Sequence, residues 1–412
     1  MQTDEAGDTL DSHRMRGPLE DVRVLELGSL LAGPFAGRLL GDLGAEVIKI
    51  EARDMPDPMR EWGRHRYNGR TLWWPIQSRN KKCITLNLRT ADGQKLLKRL
   101  AGVSDILIEN FRPGTMERWG LGWDDLVAIN PRLIMVRVSG FGQTGPYRDR
   151  ASFGSVGEAM GGMRHITGFP DRPPTRIGIS IGDSLAAMFA TIGALSALHF
   201  RELTGRGQVV DSAITESVFA MMESSVAEYG RTGAVRERTG NVLPKVAPSN
   251  VYPTCGGGYL VIGANQDNVF KRLMQVMERP DLATDPRYAT HTARGEHQAE
   301  LDEIIAAWTV QFDKTDLWEM LNTAGVPAGP IYSIADIVHD PQFLARGMIQ
   351  PVEDPEIGEI EMPGIVPKLS ETPGGIRWSG PAEPGAHNHE IYGELLHIDD
   401  VELARLYDEG VI

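Results

Sequence analysis

The sequence predicts an α/β protein: a doubly wound, parallel-sheet start followed by a smaller α+β piece. Three observations carry this. Short apolar runs alternate with stretches of helical periodicity over the first 150 residues. The alternation then gives way to a glycine-centred hairpin pattern and amphipathic helices. Past residue 340 the chain is rich in Pro and Gly and reads as extended segments running over a surface.

In order, "VRVLEL" (22–27) is a strand, "LLAGPFAGRLLGDLGA" (30–45) carries helical spacing, and "EVIKIE" (46–51) is a strand again. A β-α-β unit of this kind implies parallel pairing with a right-handed crossover. "CITLNL" (83–88), "DILIEN" (105–110) and "LIMVRVSG" (133–140) are further strands, and "TADGQKLLKRLAGV" is a helix opened by Thr90. From about 210 to 245 the chain reads as helical and richer in charge. "SNVYPTCGGGYLVIGA" (249–264) is a hairpin around a Gly turn, and "NVFKRLMQVM" and "ELDEIIAAWTVQF" are amphipathic helices. No internal repeat of fixed period is present.

Composition bounds the function. The 412 residues suggest two or three domains, at roughly 100–200 residues each. With 42 Lys plus Arg against 56 Asp plus Glu, the net charge is −14. That balance disfavours nucleic acid and anionic membrane as partners, while leaving room for a local basic patch. Cys83 and Cys255 alone make neither a disulfide framework nor a metal cage. They fit a cytoplasmic setting. Residues 1–16 are polar and mixed in charge, so a disordered tail without a signal peptide is expected. The apolar stretch 178–200, closed by His199 and Arg201, comes nearest to a membrane span and reads as a buried helix.

Several motifs fail on context. "GFGQTG" (140–145) matches the dinucleotide fingerprint, but Pro146 and "YRDRASFG" follow as loop, so no helix opens where a pyrophosphate would sit. No P-loop and no G-x-S-x-G elbow is present. "HNHE" (387–390) has nothing nearby to complete a metal site and reads as surface or capping histidines. "CGGG" (255–258) is a hairpin turn. In "GISIGDSLAAM", Asp183 follows Gly182 at the head of the apolar stretch, which by pattern alone is a helix cap.

"LLAGPFAGRLLGDLGAEVIKIE", "RNKKCITLNL", "ILIENFRPGTMERWGL", "NPRLIMVRVSGFGQTGP", "ISIGDSLAAM", "ELTGRGQVVDSAITES" and "GVPAGPIYSIADIVHDPQ" follow one another in a fixed order. Together they resemble the class III CoA-transferases, the family of formyl-CoA transferase and crotonobetainyl-CoA transferase. The resemblance spans nearly all of the chain beyond the tail. It implies that Asp183 is the catalytic carboxylate, attacking an acyl-CoA thioester to form a mixed anhydride and then an aspartyl-CoA thioester. An anhydride is as reactive as a thioester, so no step runs far uphill. A helix N-terminus favours the ionised nucleophile. Gly182 and the segment "VAPSN" (246–250) are the expected oxyanion donors. The resemblance places CoA contacts at Leu86, Leu88, Arg89, Asn110, Phe111 and Arg118, with the arginines suited to phosphate. No metal and no tightly bound cofactor is implied, since CoA enters as substrate.

Some positions depart from the family pattern. Its arginine after "VIKIE" falls at Ala52, with Arg53 adjacent, and the glutamine that touches the acyl group in formyl-CoA transferase falls at Leu31. The latter argues for a larger or more apolar acyl group. The long glycine-rich loop of the formyl-CoA relatives is absent, so loop gating is not implied. The related α-methylacyl-CoA racemases need a histidine where this chain has Phe153, followed by Gly154, and a phenyl ring moves no proton. A non-catalytic CoA-binding protein is the other alternative. "RNKK" (79–82) resembles relatives that handle succinyl-CoA and dicarboxylic acids, with Arg79, Arg164, His165 or Arg176 as candidates for the distal carboxylate. The resemblance further implies an interlocked homodimer. Its large Rossmann-like domain would join residues 17–224 and 331–412, and its small domain would span 225–330.

Overall fold

The structure is a computed structural model describing residues 17–412. The tail expected over residues 1–16 lies outside the described residues. The described residues form two compact units, one of residues 17–163, 177–223 and 345–412, the other of 164–176 and 224–344. The second unit thus includes 164–176 and 331–344, which the sequence reading assigns to the large domain. Within it, Ala328–Pro330 pairs with Tyr259–Gly263 and draws the following chain along.

The first unit is built on a six-stranded sheet: β1 (Arg23–Glu26), β2 (Glu46–Glu51), β3 (Lys81–Thr85), β4 (Ile106–Glu109), β5 (Ile134–Ser139) and β6 (Val209–Ala213). All neighbours are parallel, in the order β3-β2-β1-β4-β5-β6. This is the doubly wound order, in which the winding reverses between β1 and β4. The strands alternate strictly. Val24, Val47, Ile106, Ile108, Ile134 and Val136 face a layer containing α1 (Ala32–Asp42). Leu25, Ile48, Ile50, Leu107 and Met135 face α2 (Ala91–Gly102) and the C-terminal chain, down to Val411 and Ile412. Continuous apolar strands of this kind need cover on both faces.

The sequence reading takes 210 onwards as helical. The chain instead makes β6 there, pairing Met135 with Val209 through Ser139 with Ala213. Only two consecutive valines mark it, and Asp211 interrupts the run, so the pattern is too short to show.

α3 (Gly154–Met160), α4 (Ile181–Thr204) and α5 (Ile214–Phe219) pack against one another beyond β5 and β6. By length and composition alone α4 is long and apolar enough to cross a membrane, a test that a core helix also passes. One face of it is core, with Leu185, Ala186, Ala190, Ala194 and Ala197 against the sheet. Arg201 near its end pairs with Asp105 at 2.7 Å. Its other face, including Met188, Phe189, Ile192 and Leu203, is exposed.

The C-terminal chain seals the open edge of the sheet. His387 N–H donates to Cys83 O (3.0 Å), Cys83 N–H to His387 Nδ1 (3.1 Å) and Thr85 N–H to Asn388 Oδ1 (2.9 Å). "HNHE" is therefore an edge cap that satisfies unpaired strand groups. "PVEDPEIGEIEMPGIVP" is a hairpin rather than simple extended chain, pairing Ile349–Asp354 with Gly358–Pro363. The second unit holds an antiparallel sheet of Ser249–Pro253, Tyr259–Gly263 and Ala328–Pro330. Its helices close a core around Tyr252, Leu260, Phe270, Leu301 and Leu317.

Candidate active site

The carboxyl ends of the strands gather two groups of candidate residues. In doubly wound sheets this edge, at the switch point, is where ligands bind. Residues after β1, β2, β3 and β4 enclose a cleft of about 340 Å³ lined by, among others, Leu86, Leu88, Arg89 and Phe111. Asn110 stands at the switch point. Its Oδ1 accepts the Ser29 N–H at 2.9 Å and its Nδ2 donates to Ser29 O at 2.8 Å. It thereby clips the β1 loop, whose Gly28 and Ser29 line the cleft. Phe111 meets Trp119 edge-to-face at 5.4 Å, and Trp119 is a wall residue that the sequence reading does not single out. Arg89 is exposed at this wall. Arg118 is not among the lining residues; its Nη2 donates to Thr115 Oγ1 at 2.8 Å.

The floor of the cleft is ionic. Lys49 is buried and donates to Gly28 O and to Asp57 Oδ2 (2.7 Å), with Glu26 Oε1 at 3.2 Å. Glu26 also pairs with buried Lys81 at 2.8 Å. Burial opposes ionisation of Asp57. Lys49 and the N–H groups of Met59 and Leu30 outweigh it and hold the carboxyl below its ordinary range. Leu30 adopts a left-handed φ of 64°, strained for a branched residue and held by that bond to Asp57. The sequence reading does not single out Asp57, whose Asp-Pro step marks only a cap on the short turn Pro58–Glu61; its pairing with Lys49, eight residues back on β2, appears only in the fold.

The second group centres on Asp183, the third residue of α4. The chain runs Ser180 as cap, then Ile181, Gly182 and Asp183. Asp183 is therefore inside the first turn and is not the cap residue. Ser212 Oγ donates to Ala186 O (3.0 Å), which places this end of α4 at the carboxyl end of β6. Asp183 is half-buried, and its carboxylate forms no hydrogen bond or ion pair among the described residues. Burial, with the nearby Glu158 charge adding to it, pushes its carboxyl up to about 6.

Glycines let this corner close. A Cβ on Gly154 would stand 2.2 Å from Asp183 Oδ2, and one on Gly157 would stand 2.4 Å from Ile214 Cγ2. Gly154 thus presents bare backbone to the carboxylate. The sequence reading notes Gly154 only as the residue after Phe153, and gives Glu158 no role. Phe153 itself is exposed.

Other expectations are revised. The Gly182 N–H, expected as an oxyanion donor, is already directed to Glu158 Oε1 at 3.3 Å. Segment 246–250 lies in the second unit. Arg79 is internal: its Nε and Nη2 grip Asp42 at 2.9 and 2.6 Å, and it is 1 % exposed, so it is not a substrate ligand. Arg53 does not reach the cleft. It donates to Tyr407 O at 2.8 Å and lies over that ring. Leu31 is buried with Met59, Trp74 and Cys83. His165 pairs with Glu237 at 3.4 Å. "GFGQTG" is a turn after β5, with Gly142 N–H on Ser139 Oγ, and the next helix begins only at Gly154.

The sequence model of CoA-transferase family III matches residues 19–388. The succinyl-CoA–D-citramalate CoA-transferase of Chloroflexus aurantiacus is 63 % identical over 403 residues, covering 98 % of this chain and all of that one. The succinate–glutarate CoA-transferase of Agrobacterium fabrum is 35 % identical, covering 94 % of this chain and 98 % of its own. The crystal structure of a CAIB/BAIF family protein from Brucella suis superposes with a TM-score of 0.82 at 35 % identity, covering 92 % of this chain and all of that one. On these matches the chain belongs to CoA-transferase family III and is a CoA-transferase.

Proposed function

We propose that the chain moves CoA from succinyl-CoA to a small dicarboxylic acid, with Asp183 as the covalent nucleophile. The observation that carries this is the state of Asp183: a carboxylate at a helix start, half-buried, against bare glycine backbone and, among the described residues, without hydrogen-bond donors. Donors spread a carboxylate's charge, so their absence leaves its electron pair available. An Asp183 oxygen bonds to the thioester carbonyl carbon, the C–S bond breaks, and the electron pair leaves with sulfur as CoA thiolate. The thiolate then attacks the anhydride at the Asp183 carbonyl and releases succinate. The acceptor carboxylate takes the acyl position by the reverse sequence. The transfer needs no net proton.

The cleft at the switch point supports the CoA half of this reading: Leu86, Leu88 and Phe111 offer apolar walls, and Arg89 offers charge for phosphate. Arg118, set outside the lining, would act on phosphate from the rim. The names of the relatives support succinyl-CoA as donor and a five-carbon dicarboxylate as acceptor. A second copy of the chain suits the exposed apolar face of α4, and the two free cysteines suit a reducing, cytoplasmic compartment.

The test is to incubate the enzyme with a panel of acyl-CoA donors and trap with hydroxylamine. We expect label on Asp183 and a preference for succinyl-CoA with dicarboxylate acceptors. Asp183→Asn is expected to fold and to lose turnover on the order of 10³-fold or more. An unlabelled Asp183 across the panel, or an active Asn variant, would overturn the reading.

A further inference from the structure

A second carboxylate stands in the Asp183 corner without a role in that chemistry. Glu158 lies on α3, one turn past Gly154, and is 2 % exposed. Its Oε1 accepts the Gly182 N–H at 3.3 Å. A Cβ on Gly182 would come within 3.1 Å of Glu158 Cγ and 2.9 Å of Gly154 O, so the starts of α3 and α4 touch here.

The first N–H groups of a helix ordinarily go to the cap or to an acidic side chain of the same turn. Here Ser180 makes no side-chain cap bond and Asp183 accepts none. A carboxylate from the neighbouring helix takes the Gly182 N–H instead. Against the same corner α5 packs Ile214 and Val218, both apolar. Glu158 is the charged group whose field reaches Asp183. The transfer itself calls for no general acid or base, since no net proton moves.

We propose that Glu158 is a positioning residue for Asp183: it withdraws the Gly182 N–H from the nucleophile and stands behind it as a second negative charge, so that Asp183 faces the thioester undamped by donors. This rests on the reading of Asp183 as the nucleophile. Glu158 touches no substrate in it and acts only through Asp183.

The test is Glu158→Gln, which keeps an oxygen acceptor for Gly182 and removes the charge. We expect kcat to fall roughly three- to tenfold with KM for acyl-CoA little changed. The acid limb of kcat/KM, expected near pH 6 in the wild-type enzyme from the raised Asp183 carboxyl, should move to lower pH. Glu158→Asp should restore part of the limb. A wild-type profile in Glu158→Gln overturns the proposal, and so does a loss of kcat with an unmoved limb, the result a merely structural role gives. Should Glu158→Gln not fold, the wild-type enzyme still decides: an acid limb at an ordinary carboxylate value, about pH 4, overturns it. Asp183→Asn run in parallel separates the two ideas. If it stays active, the nucleophile reading fails. If it is dead while Glu158→Gln behaves as wild type, only this inference fails.

Discussion

Asp57 and Asp183 are both shielded from water on one unit, and the chain treats them in opposite ways. Asp57 receives a lysine at 2.7 Å and the N–H groups of Leu30 and Met59. Asp183 receives no donor among the described residues, and a second carboxylate stands nearby. Burial opposes both charges. At Asp57 the partners outweigh it, and at Asp183 nothing does. The first arrangement fixes a loop; the second leaves a reactive group. A desolvated carboxylate without partners costs stability, and such costs concentrate at functional sites.

Breaking the supported side should produce the largest effect on folding. Asp57→Ala leaves buried Lys49 with only part of its counter-charge and frees the Leu30 N–H. Removing one partner of a buried pair costs about 3–5 kcal/mol. Urea unfolding is expected to show a loss of that size, and a loss below about 1 kcal/mol would mean the network is redundant.

Crowding the unsupported side should act on rate instead. Gly154→Ala puts a methyl where Asp183 Oδ2 now stands. A displacement of about 1 Å can lower turnover 10²-fold. We expect kcat to drop on that scale with a small change in melting temperature. An Ala variant of normal rate would show that the carboxylate is aimed by something other than this backbone.

The smallest effect is a difference of sign with pH. The carboxyl of Asp183 is raised from 3.8 to about 6 in the folded chain. The unfolded chain therefore ionises first, and Asp183 subtracts stability progressively as pH rises from about 4 to about 6. Asp57 is lowered, so it adds stability above its unfolded value, which is lost as pH falls through its folded one. Between pH 4 and 6, Asp183→Asn should therefore gain stability relative to wild type as pH rises. Equal pH slopes for the two proteins in urea titrations would contradict the raised carboxyl.

Local signals carried much of this. Five of the six strands of the parallel sheet follow from apolar runs between helical stretches, because layering is written in periodicity. "CITLNL" predicts a strand at 83–88, and β3 occupies Lys81–Thr85, so "RNKK" contributes its lysines to the strand while the following leucines turn into the cleft wall. β6 escapes because its run is short and carries Asp211. The charged residues were least legible. Arg79 in "RNKK" resembles a substrate ligand, yet it is sealed on Asp42, 37 residues earlier.

The sequence by itself determined the α/β layering, the family and the place of Asp183 at the head of an apolar helix, since each is set by local spacing and ordered motifs. Only the tertiary structure decided which charges are scaffold and which are exposed to chemistry. Lys49 met Asp57, Arg79 met Asp42, and Gly154 and Glu158 came against Asp183. A side chain's charge is local, but its partners and its access to water are set by how the chain folds back on itself.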